Sequence, residues 1–169
     1  MENRTIRPLS ELPAELKALA TATLIFAGVA VLTGLAYLDF SHRGVGGGFL
    51  IGPADIAATY YGPGVSITTL ISLAHIHMLG LLSVFAIVGF IFVHSSFPPG
   101  WKIFWSVLPY GAFLVDVSGW FLTKLAPGYV YVVIVGGGIF ILALAVMILL
   151  SLYDIWLRRP AQGKAPRAS

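Results

Sequence analysis

Four long apolar runs separated by short polar segments dominate the pattern of the chain. The runs cover residues 18–38, 66–95, 101–124 and 129–156, and each is long enough to cross a bilayer as a helix at about 1.5 Å per residue. The first run is too long for a signal-peptide core and lacks a small-residue cleavage site, so we expect it to be retained. The pattern therefore predicts an all-α polytopic membrane protein, an up-down bundle of four transmembrane helices.

Polar and glycine-rich segments fill the remaining positions. Residues 1–17 are predicted to form a cytoplasmic N-terminal tail that leads into an interfacial helical turn. Residues 39–65 are predicted to form a structured outer loop and residues 157–169 a basic cytoplasmic tail. Three consecutive glycines, 46–48, disfavour a helix in the first part of the loop, whereas Pro53 to Ala57 are predicted to form one helical turn at the membrane surface.

The distribution of basic residues predicts the orientation. With four spans both chain ends lie on one side of the membrane, and eight of the ten lysines and arginines fall on that side: Arg4, Arg7, Lys17, Lys102, Arg158, Arg159, Lys164 and Arg167. Only Arg43 and Lys124 fall on the other side. Because cytoplasmic segments carry the excess of positive charge, both termini are predicted to be cytoplasmic, in a bacterial inner membrane.

Composition supports a membrane protein and narrows its chemistry. The chain is 58% hydrophobic and only 10% charged, whereas soluble domains are about 25% charged. Without cysteine it has no disulfide, thiolate metal site, iron–sulfur ligand or covalent c-type haem attachment. The net charge of +3 does not indicate nucleic-acid binding, because the basic residues flank the membrane. Any cofactor must be held by histidine, methionine, carboxylate or backbone groups.

The second apolar run carries three of the four histidines. His75 and His77 lie about a third of the way into it, where an ionisable group usually binds a ligand, relays a proton or finds a buried partner. Residues two apart project roughly 200° from each other, so the two rings are expected to serve two faces. Both are candidate ligands of a cofactor or metal, whereas His94 lies about 25 Å further along and cannot share their site.

Two further residues complete the candidate site. Asp116 is predicted to lie about 12 Å below the outer end of the third helix, close to the depth of about 14–17 Å expected for His75 and His77. It is a candidate metal ligand, a partner that orients an imidazole, or a proton carrier. His42, at the end of the first helix, is a candidate second haem ligand. The alternative for each residue is a hydrogen-bonded packing role.

The run AHIHMLGLL resembles the transmembrane His-x-His helix of haem-copper oxidases, in which the two rings bind two different haem irons. The copper-ligand histidines of that family are absent. The whole chain also resembles uncharacterised small four-helix bacterial membrane proteins with H-x-H in helix two, D-x-x-G-W in helix three, here Asp116, Gly119 and Trp120, and an S-L-Y-D-x-W end. This second resemblance implies a shared fold and assigns no activity.

Three functions are compatible with these features. The first is a small redox subunit that binds haem b, or less favourably copper, through His75 and His77 and passes electrons within a respiratory or related membrane complex. The second is a cofactor-free accessory subunit of a larger membrane enzyme. The third is proton-coupled transport, with Asp116 and the histidines as a relay. Because one chain does not easily supply two axial ligands, haem binding also implies a second copy or another subunit.

Overall fold

The structure, a computed structural model, describes residues 8–42 and 51–158, apart from the side chains of residues 41 and 42. Over these ranges the chain is all-α, with five helices: α1 (Ala14–His42), α2 (Pro53–Tyr60), α3 (Ile67–Val93), α4 (Pro99–Leu125) and α5 (Val130–Trp156). Short 3₁₀ turns, Leu9–Glu11 and Pro127–Tyr129, precede α1 and α5. The short helix α2 lies in the predicted outer loop.

Three of the described helices are long and apolar enough to cross a membrane. The candidate spans are Ala14–Phe40, Ile67–Val93 and Pro127–Trp156, within or around α1, α3 and α5. Helix α4 is as long as α3, at 27 residues, but it is more polar because it includes Lys102, Asp116 and Lys124. It packs against both α3 and α5. The protein is therefore a helical membrane protein in which α4, which is more polar than α3 and α5, packs against both of them.

Hydrogen bonds gather the two described chain ends at one end of the bundle, which we call the terminal end. The Leu9 N–H donates to the His94 carbonyl at 3.0 Å. The backbone N–H and hydroxyl of Ser96 donate to the carboxylate of Asp154 at 3.1 and 3.2 Å, and Arg158 lies 3.5 Å from the same carboxylate. These contacts join the start of the described chain, the α3–α4 turn and the end of α5.

The opposite end, which we call the loop end, is closed by a lysine. Nζ of Lys124, in the last turn of α4, donates to the carbonyls of Gly62 and Val65, both at 2.7 Å. Ser66 then caps the start of α3 by accepting a bond from the Thr69 N–H at 3.1 Å. The loop that leads into α3 is thus fixed to the end of α4.

Helices α4 and α5 approach each other closely where Gly119 and Gly136 lie. A Cβ atom at Gly136 would lie 2.6 Å from the backbone nitrogen of Asp116, and one at Gly119 would lie 2.9 Å from the backbone nitrogen of Val133. Atoms at these positions would overlap, so only glycine fits. Close backbone approach at small residues is a common way for membrane helices to pack.

Helix α1 is the least enclosed of the long helices. Leu24 and Ala27 are buried in the half near the terminal end, where the indole N–H of Trp156 also donates to the Thr21 hydroxyl at 2.9 Å. By contrast, every residue from Leu32 to Leu38 is exposed. This stretch of α1 is therefore more exposed than the half near the terminal end, and Asp39, directly after it, is buried again.

The first residues of the described chain lie in the segment predicted as a tail and an interfacial helical turn, and they include the 3₁₀ turn Leu9–Glu11. Leu9 is only 2% exposed, and the helix begins at Ala14 rather than at residue 18. Glu15 in the first turn favours an early start, because negative charge is stabilising at a helix N-terminus. The sequence pattern missed this because the segment is polar overall and buries one leucine only.

The glycine contact between α4 and α5 can be tested with a matched pair of substitutions. Gly136→Ala is expected to lower the free energy of unfolding by about 1–3 kcal/mol, because the added methyl group overlaps the α4 backbone. Gly138→Ala places a Cβ in open space, with nothing within 4 Å, and is expected to leave stability unchanged or slightly higher. Unfolding of the purified proteins in mixed micelles, followed by circular dichroism, measures both. Equal stability of the two variants would contradict this packing.

Candidate functional site

His77 lies on the stripe of α3 that also contains the buried residues Leu70, Ala74 and Phe85, yet its own side chain is exposed. Its ring nitrogen Nδ1 lies 2.8 Å from the carbonyl oxygen of Leu73, one turn earlier. Because a carbonyl can only accept, Nδ1 carries the proton in this bond. In the neutral ring, Nε2 is then left unprotonated, with its lone pair available.

An aromatic contact fixes the other side of the His77 ring. The Trp120 indole of α4 meets it edge to face, with ring centroids 5.5 Å apart. On its far side Trp120 stacks nearly parallel on Tyr60 of α2, with centroids 6.0 Å apart and an interplanar angle of 11°. The three rings therefore form a continuous chain from α3 through α4 to the outer loop.

Asp116 lies one helical turn before Trp120 and is only 5% exposed. The Trp120 side chain is its hydrogen-bonding partner, with the indole N–H as the donor. On the α5 side the carboxylate lies against the backbone, since a Cβ built at Gly137 would be 3.6 Å from Oδ1. The carboxyl group is thus held between two helices with a single side-chain donor.

Tyr60 belongs to the same cluster, because Asp116 acts on it electrostatically. Burial of the phenol, followed by the charge of Asp116, raises the pKa of Tyr60 to about 12. The phenol therefore keeps its proton over the physiological pH range. We call Tyr60, His77, Asp116 and Trp120 the aromatic cluster.

His75 lies on a different face of α3. Two residues apart on a helix, it projects roughly 200° from His77, and it shares its face with Met78 and Leu82, three and seven residues later. Its side chain is exposed, and it forms no hydrogen bond with another described residue, in contrast to the bonds of His77 and His94. The structure thus brings His77, but not His75, to the aromatic cluster.

An open apolar cavity of about 250 Å³ lies between α3 and α4 on the side of His75. Its wall is formed by six side chains: Met78, Leu82, Phe85, Tyr110, Phe113 and Leu114. Met78, Leu82 and Leu114 are all exposed, so the cavity opens on the outer surface of the bundle. We call it the α3–α4 groove.

The predicted metal ligands do not form one site. Within residues 8–42 and 51–158, no group of three or more His, Cys, Asp or Glu side chains is arranged to hold a metal ion. His75 faces away from the aromatic cluster, and Asp116 is directed toward α5. A copper centre with several histidine ligands therefore finds no ligand set in the described residues, whereas haem iron needs only one or two axial ligands from the protein.

The two remaining histidines lie apart from this region. His94 is the residue that follows α3, and its Nδ1 lies 2.8 Å from the Phe90 carbonyl oxygen at the terminal end. His42 ends α1, but its side chain is outside the described residues, so its predicted role stays a prediction.

Sequence reasoning missed the central position of Trp120 and the contribution of Tyr60. Trp120 was read as an interfacial anchor, although it is only 7% exposed and touches both His77 and Tyr60. The signal that was available is its spacing from Asp116, since residues four apart on a helix are neighbours. No sequence pattern places the outer-loop Tyr60 against α4.

Residues 52–162 match the model of the Aq_1264_TM family, which is described as a transmembrane helical domain. The match includes α2 to α5 and hence the whole aromatic cluster and the α3–α4 groove. No curated protein and no solved structure matches the chain. The comparisons support a small helical membrane protein and show no resemblance to haem-copper oxidases.

The hydrogen bond of Trp120 can be tested by removing the indole N–H. Trp120→Phe keeps a ring beside His77 and is expected to lower the free energy of unfolding by about 1–2 kcal/mol, because the buried carboxyl group loses its donor. Trp105→Phe is the matched control, since the buried Nε1 of Trp105 has no partner among the described residues. It is expected to change stability less or to raise it. Equal losses in the two variants, measured by unfolding in mixed micelles, would show that the Trp120 bond contributes nothing.

Proposed function

The chain belongs to the Aq_1264_TM family of transmembrane helical domains, and from this premise we propose that it is a small redox subunit of a membrane complex. In this proposal the chain binds haem b through one of the two predicted histidines of α3 and passes electrons within a respiratory or related assembly. His77 is the iron ligand that the geometry favours. Copper is the less favoured cofactor.

The proposal includes four membrane spans, because it adds α4 to the three candidate spans in α1, α3 and α5. Its 27 residues suit a bilayer crossing, and its polar side chain Asp116 is buried against α5 rather than exposed to lipid. The terminal end then lies in the cytoplasm, where Lys102 and Arg158 belong by the excess of positive charge, and the loop end lies outside. A bacterial inner membrane is the membrane that this orientation rule fits.

The observation that carries the haem proposal is the bond from His77 to Leu73. Haem-ligating histidines bind iron through one ring nitrogen while the other donates a hydrogen bond that sets the tautomer. His77 has this arrangement, with Nδ1 2.8 Å from the Leu73 oxygen and Nε2 free. Contact with Trp120 further restricts how the ring can turn. The ligand is therefore orientated before any cofactor binds.

Space beside His77 supports the same reading. The ring is exposed although it lies on the inward stripe of α3, and residues Leu32 to Leu38 of α1 are exposed as well. Bound haem would supply a one-electron centre at this position. A second axial ligand would come from another copy or another subunit, or from His42. We therefore expect the protein to work as part of a larger assembly.

A cofactor-free accessory subunit is the second candidate function. It is favoured by the exposure of residues Leu32 to Leu38 of α1, which suits packing against a larger membrane enzyme as well as against lipid. In that case the bond from His77 to Leu73 only satisfies a polar ring inside the membrane. The two candidates differ in whether the purified protein carries a chromophore.

Absorption spectra of detergent-purified protein distinguish them. After reduction with dithionite, the redox proposal predicts the α-band of a b-type haem in the wild-type chain. His77→Ala is expected to abolish the band, because it removes the iron ligand, whereas His75→Ala is expected to keep it. The two substitutions remove the same side chain two residues apart, so each controls for the other.

Three outcomes would contradict the proposal. Absence of any chromophore, after expression with haem supplied, would favour the accessory subunit. A band that survives His77→Ala and is lost in His75→Ala would assign the ligand to the other face of α3. If elemental analysis found stoichiometric copper and the spectra showed no haem, the cofactor would be copper rather than haem b.

A further inference from the structure

The His75 ring lacks a partner in a place where it needs one. It lies eight residues into α3, or about 12 Å from the loop end of that helix, and forms no hydrogen bond with another described residue. A polar group in hydrocarbon without a hydrogen bond costs several kcal/mol. Acyl chains cannot form that hydrogen bond. A ligand with a polar group at this depth of the bilayer would form it.

The α3–α4 groove lies on the same face of α3 as His75. Met78 and Leu82, which line it, lie three and seven residues after the histidine and therefore below it on the same side of the helix. The groove is apolar, holds about 250 Å³ and opens outward, to judge from the exposure of Met78, Leu82 and Leu114. A ligand that satisfies both features has a hydrogen-bonding head and an apolar tail.

We propose that the α3–α4 groove and His75 form a binding site for a prenylquinone, with the ring oxygens at His75 and the isoprenoid tail in the groove. A neutral imidazole has one N–H donor and one acceptor nitrogen. It can donate to the carbonyl oxygen of a quinone or accept from the hydroxyl of a quinol. A phospholipid, by contrast, holds its polar atoms at the membrane surface, away from this depth.

This inference deepens the proposed redox function, because a lipid-soluble quinone is a carrier that could exchange electrons with a membrane haem subunit. It does not depend on haem for its test. His77 and His75 would then serve two different ligands on two faces of one helix.

The test uses the full chain in phosphatidylcholine nanodiscs and an azido-quinone with a ten-carbon tail. After illumination, the peptide that contains His75 to Leu82 is expected to carry the label, as detected by mass spectrometry, because the azide is on the ring and the proposal places the ring at His75. An excess of decylubiquinone should remove the label, whereas extra phosphatidylcholine should not. Label on unrelated helices, label that decylubiquinone does not reduce, or label reduced equally by phosphatidylcholine would overturn the proposal.

Two exposed leucines of α3 provide a matched pair. Leu82 lines the groove and Leu79 does not, and they are 51% and 56% exposed. Leu82→Trp fills the groove and is expected to weaken decylubiquinone binding about tenfold or more, whereas Leu79→Trp is expected to leave it within about twofold. Equal affinities for the two variants would overturn the proposal.

His75→Ala provides a second readout that does not require the groove to accept a larger side chain. It is expected to weaken binding about tenfold, the size of one lost hydrogen bond. Unchanged affinity in this variant would overturn the role of His75. The haem proposal and the quinone proposal can fail separately. A chain that lacks the α-band but still binds decylubiquinone at the groove would refute haem binding and support quinone binding.

Discussion

A polar side chain inside a membrane is stabilised by a bonding partner in the protein or in a ligand, and this constraint applies most strongly to the ionisable residues of α3 and α4, His75, His77 and Asp116. The close contact at Gly119 and Gly136 brings α4 and α5 together around Asp116, which leaves Trp120 as the side-chain donor to that carboxyl group. With a larger residue at either glycine the helices would separate. The glycine contact therefore positions the polar groups as well as packing the bundle.

The same constraint separates the two histidines of α3. The His77 ring donates a hydrogen bond to the Leu73 carbonyl and makes an edge contact with Trp120, which leaves its Nε2 free. The His75 ring forms no hydrogen bond with any of the described residues. The two rings therefore differ in their bonding partners, and the haem and quinone proposals concern two different faces of the same helix.

Much of the fold followed from apolar run length alone. The all-α class and the long helices α3, α4 and α5 could be predicted because a run of about 20 apolar residues has few alternatives in water or in lipid. The packing of Leu9 against the bundle could not, because a single buried leucine in a polar segment has no periodicity. The exposure of α1 from Leu32 to Leu38 could not be predicted either, because lipid-facing and protein-facing apolar residues look alike in sequence.

The candidate site was predictable to a similar extent. Spacing on a helix was enough to separate His75 from His77, and run length was enough to bring Asp116 near their depth. Tertiary structure was needed to find that Trp120 joins His77 to Asp116, and that Tyr60 reaches them from the outer loop. Contacts of this kind depend on which faces of α2 and α4 meet, and the sequence pattern of α2 is too short to specify a face.

The central claim is that His77 holds its proton on Nδ1 and offers Nε2 to a ligand. Solid-state ¹⁵N NMR of histidine-labelled protein in lipid bilayers measures this directly, with the His77 signals assigned by their loss in His77→Ala. We expect a proton on Nδ1 and none on Nε2 in the cofactor-free protein. A proton on Nε2, or a doubly protonated ring at neutral pH, would contradict it.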